Sequence, residues 1–291
     1  MKRLLSVAAV LMAAMLWGTT GTVQSVLPAD REPLAVGVLR LVFGAIFLIS
    51  LALANAQSRS GFATLPKRGV FLAGAAIGGY NLLFFYAVAI AGVGVGTAIT
   101  IGSAPIWATL WETLTQRKLP DRVRLIGQAA SIIGVALLGL AGGAEGGNSF
   151  GVILALGSGA CYACYSLATS QLTAAAHTNT IAAATFSVAA ILTLPALAFV
   201  PLGWIDGQAI LGLVFLGFVA TGVAYALYTW GLTQVAASTA VTLALAEPVT
   251  AWLLATFFVG EPLSTQSVIG AILILCGLVV VTAFPAVTRE T

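Results

Sequence analysis

Ten apolar runs of about 20 residues, each long enough to cross a bilayer as a helix, dictate what this chain can become. They cover 4–27, 33–55, 69–91, 95–116, 122–141, 149–170, 179–200, 208–231, 235–259 and 265–286, with breaks where charges, prolines and glycines cluster. Only 7% of the 291 residues are charged and 60% are hydrophobic, whereas a globular chain carries roughly 25% charged residues. With a mean hydropathy of +1.06, no soluble domain could solvate this surface. Connections such as PADREP (28–33) and GEPLS (260–264) are short, so a soluble catalytic domain has no place. The expected fold class is an all-α polytopic membrane protein with ten transmembrane helices. The opening MKRLLSVAAVLMAAMLW has the basic start and apolar run of a signal peptide. Its apolar character continues to Leu27 without a convincing cleavage site, so it reads as a retained first span.

Lys and Arg in the short connections set the orientation, because they stay cytoplasmic. Ten helices put both ends on one side. That side carries Lys2, Arg3, Arg59, Lys67, Arg68, Arg117, Lys118, Arg122, Arg124 and Arg289. The other carries Arg31 alone, with the acids Asp30, Glu32, Glu145, Asp206 and Glu261. Both termini are therefore expected in the cytoplasm.

The chain also repeats itself. SAPIWATLW (103–111) followed by LIGQAASIIGVALL (125–138) matches LAEPVTAWL (245–253) followed by SVIGAILILCGLVV (267–280). Pro105 aligns with Pro248, Gly127 with Gly270 and Gly134 with Gly277, all at one offset; a residue of slippage upstream pairs Tyr86 with Tyr228 and Thr97 with Thr239. A unit of five helices places its second copy upside down, and inverted repeats hold secondary-transport sites at their interface near the midplane. The expected organisation is two inverted five-helix repeats, 1–141 and 149–291, joined by the glycine-rich 142–148.

Charges and prolines inside hydrocarbon ask for a reason. Glu247 sits mid-helix, where a charge costs on the order of 2.5–3.5 kcal/mol, so it faces a cavity or a partner. It is either a substrate-ammonium contact or proton carrier, or a structural carboxylate fixing the kink at Pro248. Pro248 and Pro105 free the carbonyls of Ala244 and Ile101, which is tolerated where they line a cavity; both prolines are expected to mark hinges or cavity walls. Arg40, about seven residues into helix two, either binds a substrate carboxylate or pairs structurally and snorkels. Glu112, near the cytoplasmic end of helix four, lies at the wrong depth to be its mate and reaches toward the basic inner loops.

Aromatic residues recur at helical spacing: Trp17 with Thr20 and Gln24, Tyr80 with Phe84, Tyr162 with Tyr165, and Tyr225 with Tyr228. Such stripes serve packing or interfacial belts. At mid-helix they can also wall a cavity suited to apolar or aromatic side chains, with Thr97, Thr100 and Ser103 as small hydrogen-bonding groups. Gly74 with Gly78, and Gly139 with Gly143, read as close helix packing. Cys161 and Cys164 form a C-x-x-C in an apolar helix, but a metal needs about four ligands and His177 is the one histidine, so both read as packing residues. No metal or cofactor is expected, no catalytic residue, and no phosphate-binding loop for ATP. Nothing points to nucleic acid. The partners expected are a small-molecule substrate and the lipid bilayer, for a monomer.

The run AEPVTAWLLATFFVGEPLSTQSVIGAILI (246–274), with Trp17-Gly18 in helix one and Arg40 in helix two, resembles EamA-type transporters of the drug/metabolite transporter superfamily. The resemblance spans the full chain. It implies ten helices in five plus five, termini inside, and, for the similar YddG-like exporters, export of amino acids and related metabolites from bacteria. Other tasks in that fold are efflux of lipophilic cations or drugs and metabolite uptake. A channel or an intramembrane enzyme lacks its filter segment or acid–base cluster here. One departure is that Gly260-Glu261-Pro262 in the second repeat answers to Gln116-Arg117-Lys118 in the first.

Overall fold

The structure, a computed structural model, describes residues 1–117, 120–141, 148–260 and 262–284. Residues 142–147 of the expected joint, and the loop charges Lys118, Glu145, Glu261 and Arg289, lie outside the described residues. Among those described, ten helices are long and apolar enough to cross a membrane. They are α1 (Lys2–Ser25), α2 (Pro33–Ala54), α3 (Lys67–Ala91), α4 (Val93–Thr115), α5 (Arg122–Leu140), α6 (Ser149–Leu172), α7 (Thr178–Phe199), α8 (Gly207–Gly231), α9 (Ala237–Val259) and α10 (Thr265–Ala283). No strand occurs among the described residues. Hydrocarbon offers no partner to a backbone amide, so each span satisfies its own by helix formation. Side chains such as Ile126, Ile133, Ile153, Leu211 and Val279 stand exposed on the outer faces, which suits lipid.

Helix starts follow local capping chemistry. Asp121, Asn148, His177, Asp206 and Ser264 accept first-turn amides of α5, α6, α7, α8 and α10, supplying the acceptors those orphan donors need. Pro33 opens α2, where its missing N–H costs nothing. The expected connection between the runs 69–91 and 95–116 shrinks to one residue: Gly92, at φ +84°, alone separates α3 from α4, a conformation glycine adopts without penalty. A six-residue helix, Ala56–Gly61, adds an element to the α2–α3 connection. Pro195 lies at the start of the tighter turn Leu194–Phe199 that ends α7.

The contacts obey a two-fold rule. Helix α3 packs on α6 as α8 packs on α1, and α4 packs on α6 as α9 packs on α1. Helices α5 and α10 cross each other, as do α2 and α7. At the α5–α10 crossing Gly127 lies against Gly277 and Gly134 against Gly270. These are the four glycines paired by the repeat, and they make a self-complementary contact of the kind a two-fold axis generates. Ser131 donates to the carbonyl of Ile274 across the same seam at 3.3 Å. Gly74 and Gly78 lie against α7 at Val188 and Ala189. The Cys161 sulfur would lie 3.4 Å from a Cβ placed at Gly79, so it packs on α3. Both ends of the described chain meet on one face, where the Arg3 guanidinium donates to the carbonyl of Thr282 at 3.4 Å.

Gly134→Val is expected to lower the melting temperature in detergent, at a cost of about 1–3 kcal/mol, because its side chain would run into Ile274 and the Gly270 backbone. Gly203→Ala, with nothing within 4 Å, is the control expected to melt like the parent. Identical melting of the two variants would remove the crossing as a core contact.

Candidate substrate cavity

Between the repeats lies a cavity of about 430 Å³. It is walled by the C-terminal halves of α1 and α3, the N-terminal halves of α2 and α4, and the middle of α9. Gln24, Arg31 and Val93, at the ends of those helices, belong to its wall, so it opens on the face away from the termini.

An aromatic cup forms its floor. Trp17 lies 4.8 Å from Tyr225, 5.3 Å from Tyr228 and 6.1 Å from Tyr162, the last edge-on. Tyr80 tilts over Tyr162 at 5.3 Å and stacks beside Phe84 at 6.0 Å. The indole N–H of Trp17 is buried without a hydrogen-bond partner among the described residues, and the buried hydroxyl of Tyr162 lies beside that of Tyr228. Aromatic faces of this kind suit apolar side chains and cations alike.

Two opposite charges reach the cup from different helices. Arg40 comes from α2 and Glu247 from α9, and both line the cavity. They interact electrostatically with each other and with Tyr80, yet no ion pair or hydrogen bond engages either side chain among the described residues. Glu247 owes its position to a broken helix. Pro248 has no amide to give the Ala244 carbonyl, so the Glu247 amide takes that acceptor at 2.9 Å, and Leu245 bonds Thr242 at 3.0 Å in the same tightened turn. The break therefore falls between Leu243 and Ala246. Helix α1 reaches this turn through Gly18, where a Cβ would lie 2.9 Å from the Glu247 carbonyl and run into Thr250. At the matching proline the first repeat differs, since α4 runs unbroken through Pro105. Ala244 and Ile101, whose carbonyls the prolines release, both line the cavity.

Of the residues singled out in the sequence, Trp17, Thr20, Tyr80, Phe84, Thr100, Tyr162, Tyr225, Arg40 and Glu247 meet in this one wall. Ser103, Tyr165 and Tyr228 sit behind it. The Ser103 hydroxyl turns to the Thr100 carbonyl at 3.4 Å, and Tyr228 bonds Ser166 at 2.8 Å. The hydroxyls of Tyr165, Thr169 and Thr229 face one another without reaching hydrogen-bond geometry. Sequence reasoning missed Gly18, Gly21, Phe85, Val88 and Val241 as lining residues. Gly18 was singled out only for the family resemblance and Gly21 lies one turn beyond it; Phe85, Val88 and Val241 look like ordinary apolar packing.

Toward the terminal face α4, α5 and α9 are tied together. Helix α9 starts at Ala237 without a side-chain cap of its own, and Glu112 from α4 supplies one in trans. Its carboxylate accepts the Ser238 amide at 3.0 Å and also the Ser238 hydroxyl, which in turn accepts from the buried Arg124 guanidinium of α5. Carboxylate at a helix N-terminus is favoured by the helix dipole. Thr109 and Gln128 exchange hydrogen bonds of 3.2 and 3.1 Å nearby. Further out, Ser58 meets His177 at 3.0 Å. The repeat offset carries Glu112 to Ala255 and Arg124 to Ser267, and the one-residue slip upstream carries Ser238 to Gly96, so those positions in the other copy cannot form the same contact.

The profile of the EamA-like transporter family matches residues 4–140 and 149–283. Over 277 residues the chain is 39% identical to the uncharacterized transporter YwfM of Bacillus subtilis, covering 95% of this chain and 93% of that one. It is 28% identical over 260 residues to the threonine/homoserine exporter RhtA of Escherichia coli K12, covering 86% and 82%. A solved structure at 22% identity shares the fold with a TM-score of 0.82, over 96% of this chain and 97% of that one.

With Cys161, Cys164 and Cys276 replaced by alanine, cysteines at Thr20 and Thr97 in the wall are expected to react with a membrane-impermeant thiol reagent. A cysteine at Ser166 beneath the floor is expected to react about tenfold more slowly or worse, because exposure governs thiol reactivity. Equal rates would mean that the cavity does not end at the aromatic floor.

Proposed function

This chain belongs to the EamA-like transporter family, and from that premise we propose that it is a secondary transporter exporting amino acids across the bacterial inner membrane. Apolar and aromatic amino acids and related small metabolites are its substrates. The observation that carries this reading is the aromatic cup holding separated positive and negative charges between two repeats. Its volume of about 430 Å³ suits one small solute. Export is supported by the activity in the name of the Escherichia coli relative. The Lys and Arg distribution supports cytoplasmic termini, which makes the open face of the cavity the outer one.

Transport proceeds by alternating access, the repeats 1–141 and 149–291 rocking about the α5–α10 crossing. For loading from the cytoplasm, α4 and α9 part at Glu112 and Ser238, and the aromatic floor at Trp17 and Tyr162 opens. Pro248 and Pro105 are the hinges of that movement. The protein works as a monomer without ATP, since the sequence lacks a phosphate-binding loop.

Liposomes holding only the purified protein are expected to move labelled phenylalanine, leucine or threonine. Flux of a lipophilic drug cation with none of any amino acid would overturn the assignment. Glu112→Gln weakens the latch, and the inward-open population is expected to rise about tenfold or more. Faster labelling of a cysteine at Ser166 reads that change, and labelling at the parental rate would show that Glu112 is no gate.

A further inference from the structure

A charge that loses its water without gaining a partner is costly, and that cost bears on what can fill this cavity. Arg40 and Glu247 enter the same cup from α2 and α9. Among the described residues neither forms an ion pair or a side-chain hydrogen bond, and the Arg40 Nε is buried without a partner. Tyr80 lies within electrostatic reach of both. When the cup closes around a solute, both charges are desolvated together. A lone cation compensates Glu247 and meets repulsion from Arg40. A lone anion does the converse, and a neutral solute compensates neither. Only a solute carrying both signs satisfies the pair.

We propose that Arg40 and Glu247 are the two poles of a zwitterion site, Arg40 taking the substrate carboxylate and Glu247 its ammonium. Arg40 binds through the planar fork that matches a carboxylate. The side chain of the substrate then lies over Trp17, Tyr80 and Phe84. The poles also close the carrier selectively: an empty cup keeps two unpaired charges and stays wet, whereas a filled one can shut. This assignment rests on the reading of the cavity as an amino-acid site, and it argues against lipophilic cations as cargo.

The test holds the side chain constant and removes one charge at a time. Binding to the purified protein in nanodiscs is measured by calorimetry for phenylalanine, phenethylamine and hydrocinnamate, and for threonine, isopropanolamine and β-hydroxybutyrate. In each set the amino acid is expected to bind about ten- to a hundredfold more tightly than either single-charge analogue, the worth of one charged hydrogen bond. In Arg40→Gln the amino acid is expected to fall to the affinity of its amine, which itself holds or improves. Glu247→Gln mirrors this with the acid. Analogues that match the amino acid on the unaltered protein overturn the poles while leaving amino-acid transport standing, and that comparison needs no variant to fold. Uniform weakening of all three ligands in Arg40→Gln also overturns them, by making Arg40 a packing residue. Failure of either amino acid to bind, with no flux of any amino acid in liposomes, overturns the amino-acid reading and the poles together.

Discussion

In hydrocarbon a backbone amide has no partner but its own helix, and every departure from regular helix in this protein must answer to that rule. The tightened turn at Ala244–Glu247 answers it directly. Pro248 removes one donor, the Glu247 amide shifts by one residue to fill the vacated acceptor, and the helix breaks without stranding the carbonyl. Glu247 stands at the corner this creates, pressed against α1 at Gly18. The corner that carries Glu247 and meets α1 thus forms at Pro248, whereas Pro105 loses the same N–H inside an unbroken α4.

The same rule governs the ends of the helices. Five spans carry their own caps, but α9 takes its cap from α4 through Glu112. Capping is thereby turned into an interhelical contact. Two helices that must separate if access alternates are held by a bond that any helix start needs in some form. The two-fold rule stops here: the α5–α10 crossing is the same from both sides, while the Glu112–Ser238 contact has no counterpart among the described residues of the other face. The scaffold is symmetric and this contact is not.

Much of this was legible in the sequence because membrane solvent is an unforgiving selector. Span length reported the ten helices, and the glycine pairs with the offset between Pro105 and Pro248 reported the repeat, whereas the α5–α10 seam came only from the structure. Arg40 and Glu247 stood out because charge in hydrocarbon needs a reason. What was hidden is of two kinds. Side-chain placement within a turn decides that Tyr225 faces the cavity while Tyr228 turns to Ser166, and helical spacing alone gives both the same face. Contacts between distant segments, such as Glu112 with Ser238 or Ser58 with His177, depend on tertiary placement that no local pattern encodes. The break at Gly92 was obscured by neighbours of the same type, since Gly94 and Gly96 offer the same freedom without using it.

The two crossing helices are also the shortest spans. Helices α5 and α10 have 19 residues each, against 24 or 25 in α1, α3 and α6. At 1.5 Å per residue each is about 28 Å long, close to a hydrocarbon thickness of about 30 Å. The longer spans can tilt to absorb excess length, but these two have none to spare, and their glycine contacts oppose sliding. A thicker bilayer would therefore pull on the α5–α10 seam before any other part of the molecule. The axis between the repeats doubles as the place where lipid composition gains mechanical purchase on the protein.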